Sequence, residues 1–177
     1  MKIIKKILLV IAGIVALILV VALFMKNEYA VQQEIVINKP KQDVFNYIKI
    51  ISNQKHYNKW VMTDPNLQRE TRGTDGTVGF VVSWNSKMDE VGEGEQEIIS
   101  VKEGERIDFA LRFKRPFEGK ANSSMVTEAV NDHQTKIIWT FSGVSKYPMN
   151  IMNPMVGNML GKDLATSFSN LKKELEK

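Results

Sequence analysis

Residues 107–113 read Ile-Asp-Phe-Ala-Leu-Arg-Phe, with a large apolar side chain at every second position. This alternation places the apolar side chains on one face of a β-strand. The same period of two recurs on both sides of the stretch, over residues 80–85, 93–101, 125–129 and 137–141. Polar turn sequences, Lys102–Glu105 and Asn131–Gln134, separate some of these segments. Short strands joined by short polar turns predict an antiparallel meander with one buried face.

Helical patterns flank the predicted sheet. Residues 29–37 predict a first strand, after which Pro40 suits the first turn of a short helix whose apolar face includes Val44 and Ile48. At the other end, apolar residues recur at helical spacing over 152–175 and predict a long amphipathic helix. The apolar faces of the sheet and of this helix must meet. We therefore predict an α+β fold in which a curved antiparallel sheet wraps around the C-terminal helix and leaves a cavity between them.

The N-terminus carries a different signal. Residues Ile7 to Met25 are all apolar or small, and a helix of this run is about 28 Å long, close to the thickness of a bilayer's hydrocarbon core. A cleaved signal peptide is the alternative, but the run exceeds the usual apolar region of about 7–15 residues and no A-x-A-like site follows it. We expect residues 1–26 to form a single transmembrane anchor and residues 27–177 to form one globular domain.

The charge distribution supports a topology and excludes one class of partner. Lys2, Lys5 and Lys6 precede the apolar run and Lys26 follows it, so the positive-inside bias predicts a cytoplasmic N-terminus and an extracytoplasmic domain. These four lysines account for the whole formal net charge of +4. The domain therefore lacks the basic excess expected for nucleic-acid binding. The five residues 26–30 span at most about 17 Å, which keeps the domain close to the bilayer.

Several segments of the domain together resemble one known superfamily. They are the strand-and-helix opening Ile35–Phe45, Trp60, the turn from Gly73 to Gly79, Trp84 followed by Val91-Gly92-Glu93-Gly94, Thr135–Trp139, and the closing helix Leu171–Leu175. In this order they resemble the START-like, helix-grip superfamily, also called SRPBCC or polyketide cyclase/dehydrase. The resemblance covers Val31 to Leu175. The resemblance implies a fold with a hydrophobic cavity. Members of this superfamily include lipid carriers, ligand sensors and aromatase/cyclases.

Few residues indicate catalysis. His56 and Tyr57 are the weak candidates for acid–base chemistry, whereas His133 falls in a polar turn. No spacing of His, Asp and Glu resembles a metal site, the chain has no cysteine, and we predict neither a metal nor a cofactor. Glu93, Glu95 and Glu97 alternate and are expected on a solvated strand face. Arg112 is expected either to pair with Glu128 on a neighbouring strand or to face a ligand.

The apolar inventory is more informative than the polar one. Aromatic and aliphatic side chains on the predicted inward faces, together with methionines at the start of the last helix, are expected to line the cavity: Trp60, Phe80, Trp84, Phe109, Leu111, Trp139, Met152, Met155 and Met159. Methionine is flexible and suits surfaces that accept variable apolar ligands. The first hypothesis is a membrane-tethered module that binds a lipid or another apolar small molecule. The alternatives are a cyclase- or dehydratase-like enzyme and a regulatory protein with a filled core.

Overall fold

Seven strands form one antiparallel sheet in a computed structural model that describes residues 2–177. In chain order the elements are α1 (Lys2–Phe24), β1 (Glu28–Ile37), α2 (Lys41–Ile48), a first 3₁₀ turn (Ile51–His56), α3 (Lys59–Thr63), β2 (Gln68–Arg72), β3 (Val81–Asn85), β4 (Glu93–Lys102), β5 (Arg106–Arg115), β6 (Gly119–Asn131), β7 (Gln134–Val144), a second 3₁₀ turn (Met149–Met152) and α4 (Asn153–Leu175). The predicted sheet with a long C-terminal helix is confirmed.

The strand order is β1-β7-β6-β5-β4-β3-β2. Consecutive strands from β2 to β7 pair as neighbours, as a meander requires, and β1 adds to the edge of β7 through the register from Glu28↔Val144 to Ile37↔Thr135. The edge strand β2 was not predicted. Its sequence, Gln-Arg-Glu-Thr-Arg, carries no apolar alternation, and pairing with β3 places it in the sheet.

Helix α4 lies against the concave face of the sheet and closes the core. Its buried apolar stripe contains Leu164, Phe168 and Leu171, each at most 2% exposed. The inward side chains of the sheet that meet this core include Ile98, Ile107, Phe109, Ile137 and Trp139. Full burial of each such side chain stabilises the fold by about 1.5–3 kcal/mol. The period-two strands and the helical stripe therefore meet as the sequence predicts.

Helix α1 stands outside this core. Its segment Ile3–Phe24 is long and apolar enough to cross a membrane, and only 6% of its most apolar window is buried in the fold. It is therefore not a core helix. A membrane span and a signal sequence are the two roles that fit its length, composition and position.

The end of α1 is nevertheless fastened to the domain. The Asn150 Nδ2 atom donates hydrogen bonds to the carbonyl oxygens of Ala22 (2.7 Å) and Met25 (2.9 Å). Asn153 Nδ2 donates in the same way to the carbonyls of Lys26 (2.9 Å) and Asn27 (3.1 Å). Carbonyl groups at a helix C-terminus have no partner within the helix. An asparagine of the second 3₁₀ turn and the first residue of α4 thus supply partners where α1 ends and β1 begins.

Candidate ligand-binding site

An aromatic cluster fills the interior between the sheet and α4. It consists of Tyr57, which follows the first 3₁₀ turn, Trp139 on β7 and Phe168 on α4. The ring centroids of Tyr57 and Trp139 are 6.4 Å apart at an interplanar angle of 70°, and those of Trp139 and Phe168 are 5.6 Å apart at 62°. These are edge-to-face contacts, which aromatic rings favour. The cluster forms an apolar centre on which three separate elements converge.

Polar atoms lie within this apolar centre. The Trp139 indole Nε1 donates a 2.8 Å hydrogen bond to Ser123 Oγ, so its donor is satisfied. The Tyr57 hydroxyl is completely buried and has no hydrogen-bond partner among the described residues. Burial raises the pKa of Tyr57 far above its ordinary value, and the neighbouring Tyr47 and Asp75 raise it further. A buried hydroxyl without a partner costs about 1–3 kcal/mol, so its presence calls for a physical reason.

Helix α3 lies beside the aromatic cluster and is held mainly by polar contacts. Every side chain of Lys59–Thr63 is at least partly exposed. The backbone N–H of Lys59 donates to Ser167 Oγ of α4 (2.9 Å), and its ammonium group donates to the carboxylate of Asp163. That hydrogen bond raises the pKa of Lys59. Trp60 adds one aromatic contact with Phe141, at 6.5 Å between centroids. Helix α3 is therefore fastened by a few specific contacts rather than by deep burial.

The nine predicted lining residues divide into two groups. Phe80, Phe109 and Trp139 are buried in the core, while Trp60 and Leu111 are partly buried against it. Trp84 is half-buried, packs on Phe113 at 5.9 Å between centroids, and donates from Nε1 to the carbonyl of Val91. These six side chains are buried in the core or partly buried, and their lining of a cavity stays a prediction. The three methionines belong to the second group.

Met152, Met155 and Met159 lie on the surface, with exposures of 41%, 61% and 57%. This position corrects the prediction that they face the interior. The buried stripe of α4 is centred on residues such as Leu164, and Met155 precedes Leu164 by nine residues, which is half a helical turn around the axis at about 100° per residue. Helical spacing alone could not decide which of two apolar stripes faces the sheet.

Two open grooves lie on the described part of the chain. One of about 320 Å³ lies between β1 and α4 and is lined by residues including Val31, Gln33 and Gly161. Another of about 360 Å³ involves residues of the sheet's outer face such as Asp108 and Asn122. Phe109 is the one predicted lining residue that touches either groove. In this structure the interior around the aromatic cluster is packed by side chains.

The weak catalytic candidates do not form a common site. His56 is exposed, and its Nδ1 atom lies 3.0 Å from the Tyr47 hydroxyl, whereas the adjacent Tyr57 is fully buried. An acid–base pair requires both groups within reach of one substrate atom. The different environments of His56 and Tyr57 give no such arrangement.

The acidic residues of β4 have partners on β5. Arg112 hydrogen-bonds Glu95 (3.2 Å) and Glu97 (2.7 Å), which raises the pKa of its guanidinium. Of the two alternatives predicted for Arg112, the pairing with Glu128 is therefore wrong. Glu128 instead pairs with Lys136 at 2.7 Å, because β7 rather than β5 presents a cation opposite it. Such half-exposed ion pairs contribute about 0–1 kcal/mol each and indicate a solvated face.

The functional contacts that sequence reasoning missed are polar. Asp163, Asn150 and Asn153 lie in segments whose apolar spacing drew attention instead. The sequence signal that was available is that Asn150 and Asn153 stand among apolar residues, in the second 3₁₀ turn and at the start of α4. Their partners are more than 100 residues away in the chain. No local pattern could have identified those partners.

Comparison with solved structures shows the same fold in several proteins. A protein of Nitrosospira multiformis has a TM-score of 0.60 and 18% identity, and the match covers 83% of this chain and 96% of that one. Norcoclaurine synthase of Thalictrum flavum, in complex with dopamine and hydroxybenzaldehyde, has a TM-score of 0.62 and 14% identity over 83% of this chain and 87% of that one. The Aha1 dimer of Colwellia psychrerythraea gives a TM-score of 0.58 and 16% identity over 84% and 96%.

Comparison at the level of sequence is more specific. A comparison with curated proteins gave no match. A family profile described as "Polyketide cyclase / dehydrase and lipid transport" matches residues 29–176, which is almost the whole domain after α1. This match agrees with the resemblance of the opening strand, the central turns and the closing helix. The chain therefore belongs to the polyketide cyclase/dehydrase and lipid transport family.

Proposed function

We propose that this protein is a membrane-tethered binding module that accommodates a lipid or another apolar small molecule between the sheet and α4. The observation that carries the proposal is the buried Tyr57 hydroxyl, which has no hydrogen-bond partner among the described residues and belongs to a ring that packs on Trp139. Buried polar groups in folded proteins are almost always hydrogen-bonded. A ligand that brings one polar group into the aromatic cluster would supply the missing partner.

The surrounding residues define the chemistry of that ligand. Rings of Trp139 and Phe168 offer apolar surface, and the fully buried Met125 offers a flexible neighbour that can repack. The Trp139 indole already donates to Ser123, which leaves the Tyr57 hydroxyl as the polar group of the aromatic cluster that has no partner among the described residues. The expected ligand is therefore largely apolar and carries one hydrogen-bonding group.

Entry of such a ligand requires the packed interior to open. Helix α3 is the element best suited to move, because partly exposed side chains and a few polar contacts to α4 hold it. Displacement of α3 would uncover Tyr57, which immediately precedes it, and Trp60, which lies on it. The structure then represents the closed state of the module.

The tether is the second part of the proposal. If α1 were removed at its C-terminal end as a signal sequence, the Asn150 amide group would lose the carbonyl oxygen of Ala22 and, with a cut after Met25, that of Met25 as well. Loss of such buried hydrogen bonds is costly, which favours a retained anchor. We propose that α1 spans the membrane with the N-terminus in the cytoplasm. A periplasm-active reporter fused after Lys177 should be active, and an inactive reporter would reverse this topology.

Native mass spectrometry of the full chain extracted in mild detergent tests the binding module. We expect a co-purifying apolar molecule on the wild type, with reduced occupancy on Tyr57→Phe. The control is Tyr147→Phe, which removes the same hydroxyl from a half-exposed tyrosine. If neither wild type nor control retains any ligand, and added lipids do not bind, the packed interior would instead indicate an interaction protein with a filled core.

A further inference from the structure

Exposed methionines form a continuous apolar surface where the domain meets α1. We call Met149, Met152 and Met155 the methionine face. Their exposures are 61%, 41% and 61%, and Met159, at 57%, lies one helical turn beyond Met155. Contiguous exposed apolar side chains of this kind usually mark a contact surface. The position of the methionine face relative to α1 identifies the contact.

The segment from Tyr147 to Asn150, where the methionine face begins, lies beside the last turns of α1. The Tyr147 hydroxyl lies 3.4 Å from the carbonyl oxygen of Leu19, and Asn150 bonds the carbonyl of Ala22. Leu19 precedes Met25, the end of the apolar run, by six residues, which corresponds to about 9 Å along the helix axis. Residues 147–150 are therefore level with the final apolar turns of α1, not above them.

This geometry places the methionine face at the membrane surface. The apolar run of α1 is only about as long as the hydrocarbon core is thick, so its last turns cannot leave the bilayer without exposing apolar surface to water. We propose that the methionine face inserts into the interfacial region of the bilayer that α1 spans; this inference rests on the proposed tether. Tyrosine is enriched at that depth, as Tyr147 would be. The exposed Lys26 and Lys146 flank it and suit lipid phosphates.

Helix α4, which carries Met155 and Met159, extends away from the proposed membrane surface. Helix α4 and β1 run side by side from the anchor: Gly157 lies beside Val31, and Lys172 Nζ donates to the carbonyl of Val36 farther along. Depth in the bilayer should therefore decrease from Met149 and Met152 through Met155 to Met159.

Two of the exposed methionines lie in a row along α4 that leads to α3, the segment proposed to open. Met155, Met159 and Asp163 are spaced four residues apart and form one row on the helix surface. Asp163 holds Lys59 of α3. An apolar ligand leaving the bilayer would thus meet a row of methionine side chains that ends at α3.

The absence of cysteine from the chain allows a direct test. Single cysteines replace Met149, Met152, Met155 or Met159 in the full chain and carry an environment-sensitive fluorophore. Each labelled protein is reconstituted into vesicles with and without lipids that bear a nitroxide quencher high on the acyl chain. Leu17→Cys within α1 reports insertion of the anchor.

Val130→Cys is the matched control, because Val130 is 53% exposed and apolar. It lies on β6 next to Ala129, which pairs with Thr135, and Thr135 pairs with Ile37 at the far end of β1. The ten residues of β1 place that end about 33 Å from the anchor.

We expect quenching at Met149 and Met152 to exceed that at Val130 at least threefold, with intermediate values at Met155 and then Met159. If the probe at Leu17 is quenched but those at Met149 and Met152 are quenched no more than the probe at Val130, insertion of the methionine face is overturned. The tether then remains intact. No quenching at Leu17 would overturn the tether itself. A blue-shifted probe at Met152 without lipid quenching would identify a protein partner and overturn the bilayer as the occupant.

Discussion

Replacement of Tyr57 by phenylalanine should make the ligand-free protein more stable. The hydroxyl is fully buried and has no partner among the described residues, so the wild type bears its desolvation cost of about 1–3 kcal/mol. Removing one oxygen atom leaves a void of roughly 10–15 Å³, which costs about 0.3 kcal/mol. The free energy of unfolding should therefore rise by about 0.7–2.7 kcal/mol. For a domain of this size, at about 2–4 °C per kcal/mol, the melting temperature should rise by about 1–11 °C.

The pH dependence of stability gives an independent readout of the same hydroxyl. Burial raises the pKa of Tyr57 in the folded state above the ordinary value of 10.0 that it regains on unfolding. Below pH 10 both states are protonated and the shift has no effect. Above pH 10 only the unfolded state releases the proton, so stability should fall by about 1.4 kcal/mol per pH unit. Tyr57→Phe should lack this contribution.

The assay is thermal and urea unfolding of the delipidated full chain in detergent, followed by tryptophan fluorescence. Tyr147→Phe is the control and should change the free energy of unfolding by less than about 0.5 kcal/mol. When a ligand binds the Tyr57 hydroxyl, the wild type should have the higher free energy of unfolding, because the ligand stabilises the wild type more than Tyr57→Phe. If Tyr57→Phe lowers the stability of the delipidated protein by 1 kcal/mol or more, the hydroxyl has a partner there and the reasoning is refuted.

Three further substitutions test the other contacts. Asp163→Asn should weaken the hold of α4 on Lys59 by about 1–2 kcal/mol and speed hydrogen exchange of α3 amides, measured by mass spectrometry. Asn150→Ala should remove two hydrogen bonds to the end of α1, lower stability by about 1–2 kcal/mol and make the chain after residue 25 more sensitive to limited proteolysis. Gly92→Ala should prevent correct formation of the β3–β4 hairpin, because Gly92 has a φ of 64° and an added Cβ would lie 2.1 Å from the carbonyl oxygen of Arg115. Circular dichroism and soluble yield measure that effect.

Each of these substitutions has a matched comparison. Glu90→Gln removes the second, exposed carboxylate near Lys59, 3.9 Å away, and should leave exchange of α3 unchanged. Equal exchange in Asp163→Asn and wild type would contradict the role of this ion pair. Asn158→Ala changes an exposed asparagine of α4 and serves as the comparison for Asn150→Ala. If both variants are cleaved equally fast, the hydrogen bonds from Asn150 to the end of α1 do not protect the chain. Gly119→Ala adds a Cβ that has no atom within 4 Å, and this variant should fold normally. If Gly92→Ala also folds normally, the predicted clash with the carbonyl oxygen of Arg115 is refuted.

The sequence alone determined the fold class and most of its elements, although not the edge strand β2. Alternation over residues such as 107–113 depends on the two-residue period of a strand, and the spacing over 152–175 depends on the helical period. Both are local properties of the chain. The apolar run Ile7–Met25 likewise predicted the apolar character of α1, which extends back to Lys2. Together with the resemblance of the opening segment Ile35–Phe45, these patterns were sufficient for the helix-grip fold.

Only the tertiary structure decided which side chains meet. It turned Met155 outward, paired Arg112 with Glu95 and Glu97, and left the Tyr57 hydroxyl buried without a partner. It also joined Asn150 to the end of α1 across 128 residues of chain. Periodicity describes how one element divides into faces, whereas a partner is set by the packing of several elements at once. The sequence therefore predicted an anchored helix-grip domain, while the site, its closure and its proposed contact with the bilayer depended on long-range packing.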